Sequence, residues 1–161
     1  MGDGWIEEVI IIFLAGIGGT ALMTLFLNLI NGFIKHGVRV PLILGQVVHH
    51  YLNGKPFYQV RHKNKIGHGI HLLVGVFFAF CYAWLWHLGI GGNNLGNIFL
   101  FGFINGLIGI AGWYIFLKVT YEPEQVEEKI FFPVLVVAHI VFAWGVTEIY
   151  FTLWKLYATG I

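Results

Sequence analysis

Four stretches of this chain are apolar over a longer span than a bilayer is thick. They cover roughly 9–33, 66–88, 95–117 and 130–154, and a helix needs about 20 mostly apolar residues to cross the hydrocarbon region. Inside lipid every backbone N–H and C=O must be satisfied by the chain itself, which leaves a helix as the form such a run adopts. Lys35 closes the first run, Gly89, Gly91 and Gly92 separate the second from the third, Lys118 ends the third and Lys155 the fourth. Composition agrees: charged residues make up 11 % and hydrophobic ones 58 %, with a mean hydropathy of +0.78. A water-soluble domain carries about a quarter charged residues. The expected fold is all-α, one four-transmembrane-helix bundle over residues 1–161, with a cytoplasmic interfacial segment between the first two spans.

Charge sets the expected orientation. The 34–65 segment holds Lys35, Arg39, Lys55, Arg61, Lys63 and Lys65, and the loop between spans three and four is flanked by Lys118 and Lys129 on the same side. The opposite side shows only Lys155. The positive-inside bias puts the basic side in the cytoplasm and both termini outside it. Glu122, Glu124, Glu127 and Glu128 do not reverse this, because acidic residues count little in the bias. Asp3, Glu7 and Glu8 near the start are unlike the basic flank of a cleavable signal.

Within 34–65, Val38 to Leu52 reads as an amphipathic helix at headgroup level, with Pro41 near its start and Leu42, Val48 and Leu52 towards lipid. Bound lipid is expected there. Small residues recur at helical spacing: Ala15 with Gly19 and Gly16 with Thr20 in span one, then Gly102, Gly106, Gly109 and Gly112 in span three. Such spacing lets backbones approach where van der Waals packing replaces a hydrophobic drive. Span three is therefore expected inside the assembly, or against a ligand. Trp144 is expected to pack within the bundle.

Polar groups in the spans carry the functional candidates, because leaving them unpaired in lipid is unfavourable. They are Asn28 and Asn31 in span one, His68 and His71 in span two, Asn105 in span three, and His139 and Glu148 in span four. At about 1.5 Å per residue, His71 and His139 fall in one layer, with Asn28 and Asn31 reaching it from the opposite direction. Imidazoles from two helices suit the axial ligation of haem b; His68, His71 and His139 together suit a metal ion; and a histidine can hold a quinone-like head or relay a proton. Glu148 lies about half a turn around the helix from His139, and a hydrogen bond to Tyr150 or a neighbouring helix accounts for it. The sole cysteine, Cys81, excludes an intramolecular disulfide.

H-E-x-x-H, G-x-S-x-G, Walker A and G-x-G-x-x-G signatures are all missing, and the basic segment matches no nucleic-acid module. Paired inverted repeats and broken midplane helices, which mark secondary transporters, are missing too. The segments A-G-I-G-G-T-A-L-M-T (15–24), Pro41 with Gly45, H-L-L-V-G-V-F-F-A-F-C-Y-A (71–83) and A-H-I-V-F-A-W-G (138–145) resemble a family of small bacterial four-helix membrane proteins of unknown function. That resemblance implies the topology, and makes His71 and His139 the recurring histidines of spans two and four. The later part of 34–65 and the acidic loop fit it less well. The expected role is a non-catalytic accessory or assembly subunit of a larger bacterial membrane complex, of a respiratory or other energy-converting kind. It would sit among membrane lipids, packed on other integral subunits or on itself, with no nucleic-acid partner. The alternative is an electron-transfer subunit carrying haem b on His71 and His139.

Overall fold

The computed structural model describes residues 4–33, 40–53, 65–119 and 127–160. Among them run α1 (Gly4–Asn31), α2 (Val40–Asn53), α3 (Lys65–His87), α4 (Leu95–Val119) and α5 (Glu128–Thr159). All but α2 are long and apolar enough to cross a membrane, so the protein is a multi-pass all-α membrane bundle. Helices α1 and α5 outrun the apolar stretches that predict them, since α1 already begins at Gly4 and α5 continues to Thr159. A helix has no physical reason to stop where hydropathy fades. Lys35, Arg39, Lys55, Arg61, Lys63, Glu122 and Glu124 lie outside the described residues.

The four spans form an arc rather than a closed square. Helix α1 packs on both α3 and α5, α4 packs on α5, and α2 packs on α3. Glycines set these seams. A methyl group at Gly16 would fall 2.7 Å from Val76 Cα of α3, and one at Gly145 of α5 would fall 3.0 Å from Gly19 Cα of α1. On the α4–α5 seam, a methyl at Gly106 would lie 2.9 Å from Val136 Cα, and one at Gly102 would meet the His139 carbonyl at 3.0 Å. Such approaches are closer than any larger residue allows, so van der Waals contact runs from backbone to backbone. Ala15 is fully buried in the same core, beside Met23, Leu135, Ala138 and Val146.

Span three departs from its expected place. Helix α4 is the least covered of the four spans, because its glycines form one seam with α5 and its other faces are left exposed. Trp144 is also on the outside, at 47 % exposure. Helix α2 begins two residues later than expected and carries Pro41 as its second residue, where a missing N–H removes no helical bond. It buries Val40, Pro41, Gly45 and Val47, with Leu42 and Val48 half-buried; of the three residues expected towards lipid, only Leu52 is exposed. The first turn of α3 lies directly on it, since a methyl at Gly67 would come within 2.7 Å of Gly45 N.

One end of the bundle holds the α3–α4 turn. There Gly89, Gly91 and Gly92 take φ of 76°, 91° and 145°, values that favour glycine. Asn94 caps α4 by accepting the Asn97 N–H at 2.9 Å. This is the hairpin end. The opposite, open end receives the connections from α1 to α2, from α2 to α3 and from α4 to α5.

Candidate functional site, a cleft between α3 and α4

Near the hairpin end α3 and α4 are held together by rings. Tyr82 of α3 lies 5.0 Å from Phe101 of α4, and 6.1 Å from Phe142 of α5. Towards the open end the two helices part, and the space between them is a cavity of about 270 Å³. Its walls come from all five helices: Thr20 and Met23 of α1, Val40 and Leu44 of α2, His71, Gly75 and Phe78 of α3, Gly109, Gly112 and Trp113 of α4, and Leu135, His139 and Phe142 of α5. Val74, Ile108 and Gly112 line it while remaining exposed on the outer faces of their helices. The cleft therefore opens sideways, onto the surface that meets acyl chains.

His71 and His139 are brought to one site here, both lining the cavity. His139 Nδ1 lies 2.7 Å from the Leu135 carbonyl oxygen. A carbonyl only accepts, so Nδ1 carries the proton, and in a neutral ring Nε2 then offers a bare lone pair. The ring lies over Gly109, where a methyl would sit 2.9 Å from its Cε1 and 3.1 Å from its Nε2. Any side chain at 109 would displace the imidazole. His71 Nε2 is buried with no hydrogen-bond partner among the described residues. A buried polar nitrogen left unpaired is unfavourable by about 1–3 kcal/mol, and His71 is among the residues that line the cavity. The Thr20 hydroxyl donates to the Gly16 carbonyl at 2.7 Å.

The other candidates are dispersed. His68 is exposed and does not line the cleft, and among the described residues no group of three His, Cys, Asp or Glu side chains converges to hold a metal ion. Asn28 is exposed and Asn31 half-buried, and α1 reaches the cleft through Thr20 and Met23 instead. The expected layer of asparagines beside the histidines does not form. Asn105 is 4 % exposed at the narrow end, facing Tyr82; neither Asn105 Nδ2 nor Tyr82 Oη makes a hydrogen bond of good geometry. Gly112, expected at a helix seam, has nothing within reach of an added methyl and forms the rim of the opening.

A second polar cluster sits at the hairpin end and was not expected. Tyr150 donates to Glu8 Oε1 at 2.8 Å, and His87 Nε2 lies 2.6 Å from the same oxygen. Tyr150 is thus engaged with α1 and not with Glu148, which is half-buried on α5. Glu8 joins α1, α3 and α5 through one carboxylate. No sequence signal links Glu8 to residues 79 and 142 positions away; its helical phase was hidden because the apolar run begins just after it. The aromatic walls Phe78, Trp113 and Phe142 were missed for another reason: they are ordinary members of apolar runs.

No protein-family model, curated protein or solved structure matches the chain.

Proposed function

We propose that this protein is a non-catalytic membrane subunit that holds a bilayer-dissolved ligand by its polar head in the α3–α4 cleft, and serves in a larger bacterial membrane assembly. The observation that supports this is the pairing of an apolar, laterally open cavity with a buried, unpartnered His71 Nε2. Ligand sites of this kind are mostly apolar, with a few placed polar groups that fix orientation. The accessory role draws on the broad apolar faces that α4 leaves exposed beyond its seam with α5.

The haem reading draws on the same two imidazoles. A carbonyl-anchored Nδ1–H is the usual way an iron-binding histidine is oriented, and His139 has one. The donors fit a haem but the space does not. At about 270 Å³ the cavity lies below the ~300–1,000 Å³ of sites for drug-sized molecules, and a tetrapyrrole is larger than most of those. Seating it requires α3 and α4 to part further.

Purification in native lipid discs tests both readings. Mass spectrometry of extracted small molecules should find a lipophilic compound near one per chain in wild type, strongly depleted in Gly112→Leu. Equal recovery from the two proteins sinks the cleft reading. A Soret band in oxidised and dithionite-reduced spectra, lost in His71→Leu or His139→Leu, replaces it with electron transfer. Stoichiometric copurification of a larger membrane protein supports the accessory role, and a solitary monomer in native discs counts against it.

A further inference from the structure

The donor and acceptor pattern of the cleft narrows the ligand's chemical class, an inference that rests on the cleft being a binding site. We infer that the head bound between His71 and His139 is a flat ring bearing a hydroxyl group, a phenol or hydroquinone on a long apolar chain. His139 has its Nδ1–H engaged with the Leu135 carbonyl, so towards the cavity a neutral ring presents an acceptor alone. A ligand group meeting it must donate. Carbonyl, ester, ether and phosphodiester oxygens only accept. Unlike those groups, a hydroxyl can donate to His139 Nε2, and it keeps lone pairs to accept as well.

The walls select the shape. Phe78, Phe142 and Trp113 line the cavity from three helices, and aromatic walls suit a planar ring better than a branched glycerol head. Among the described residues no acidic side chain and no Lys or Arg lines the cavity. The rim at Val74, Ile108 and Gly112 then lets the chain leave between α3 and α4 into the acyl region.

The test measures equilibrium binding by the full-length protein in lipid discs, using a decyl-substituted hydroquinone, the matching benzoquinone, and a long-chain fatty alcohol. The two ring compounds differ in the hydroxyl hydrogens; the alcohol keeps a hydroxyl and lacks the ring. The hydroquinone should bind about tenfold or more tightly than the benzoquinone, since a missing donor leaves two acceptors facing each other. His139→Leu should erase that preference and weaken hydroquinone about three- to tenfold. Gly112→Leu, whose added methyl meets nothing, should abolish binding while leaving helicity unchanged.

Equal affinity for hydroquinone and benzoquinone overturns hydroxyl recognition while leaving the cleft as a site. Fatty alcohol binding as tightly as hydroquinone overturns the ring and makes the occupant a lipid alcohol. Failure of all three probes with a folded protein, joined to equal native-ligand recovery from Gly112→Leu, overturns the cleft itself.

Discussion

The two ends of the bundle use similar residues to opposite effect. At the hairpin end Glu8 accepts from Tyr150 and contacts His87, and Trp86 lies 4.8 Å from Tyr150 and 4.9 Å from Phe151. Glu8, His87 and Tyr150 meet there and aromatic rings join α3 to α5, although Glu7 Oε2 and Trp86 Nε1 are buried without a partner among the described residues. At the open end the polar atom of His71 finds no partner, and Phe78, Trp113 and Phe142 border an empty space. A helix pair tied by a short turn must be close at the turn and is free to splay beyond it. The difference is one of packing. Unpaired polar atoms occur at both ends, but rings and a shared carboxylate fill the space between helices at one end, while a cavity separates them at the other.

The sharpest way to break this comparison is one substitution at two sites on α4. Gly102→Leu, at the packed seam, should destabilise the protein by about 1–3 kcal/mol or more, because backbone stands where its side chain would go. Gly112→Leu, at the cleft rim, should change stability by no more than about 0.5 kcal/mol. Denaturation in mixed micelles measures both; comparable losses would mean that α4 is packed alike along its length.

Next in size is the hairpin-end cluster. Tyr150→Phe removes a donor from a carboxylate shared by three helices, and should lower stability by about 1–2 kcal/mol. In a double-mutant cycle with Glu8→Gln the two effects should fall short of their sum. Full additivity would show that the contact contributes nothing. An effect of opposite sign belongs to the open end. His71→Leu should leave the ligand-free protein as stable as wild type or raise its stability by up to about 1 kcal/mol, since it removes an orphaned polar atom. A marked loss would show that His71 is paired within the protein.

Topology was legible in the sequence because hydropathy over 20 residues is a sum, and errors at single positions cancel. The four spans and the helix before α3 emerge from it, with ends displaced by a few residues. Which helices touch was not legible. Glycine spacing marks a close seam but not its partner: Gly102, Gly106 and Gly109 all lie against α5, which leaves α4 on the flank instead of the centre. His71 and His139 were found by their chemistry and similar depth. Asn28, Asn31 and His68 passed the same depth argument and lie outside the cleft, because depth fixes a layer and not a direction around the helix. Glu8 and Tyr150 could be joined only by the fold.

The sideways mouth at Val74, Ile108 and Gly112 changes the concentration to which the site responds. A ligand entering there never passes through water as a free solute; it arrives by diffusion within the leaflet. Occupancy would then track the mole fraction of the compound among the lipids, largely independent of how sparingly it dissolves in the aqueous phase. Each lipid that can push an acyl chain into the gap is a competitor at very high abundance. Discrimination against that crowd must come from the two imidazoles and the ring-shaped walls, since greasiness alone distinguishes nothing inside a membrane.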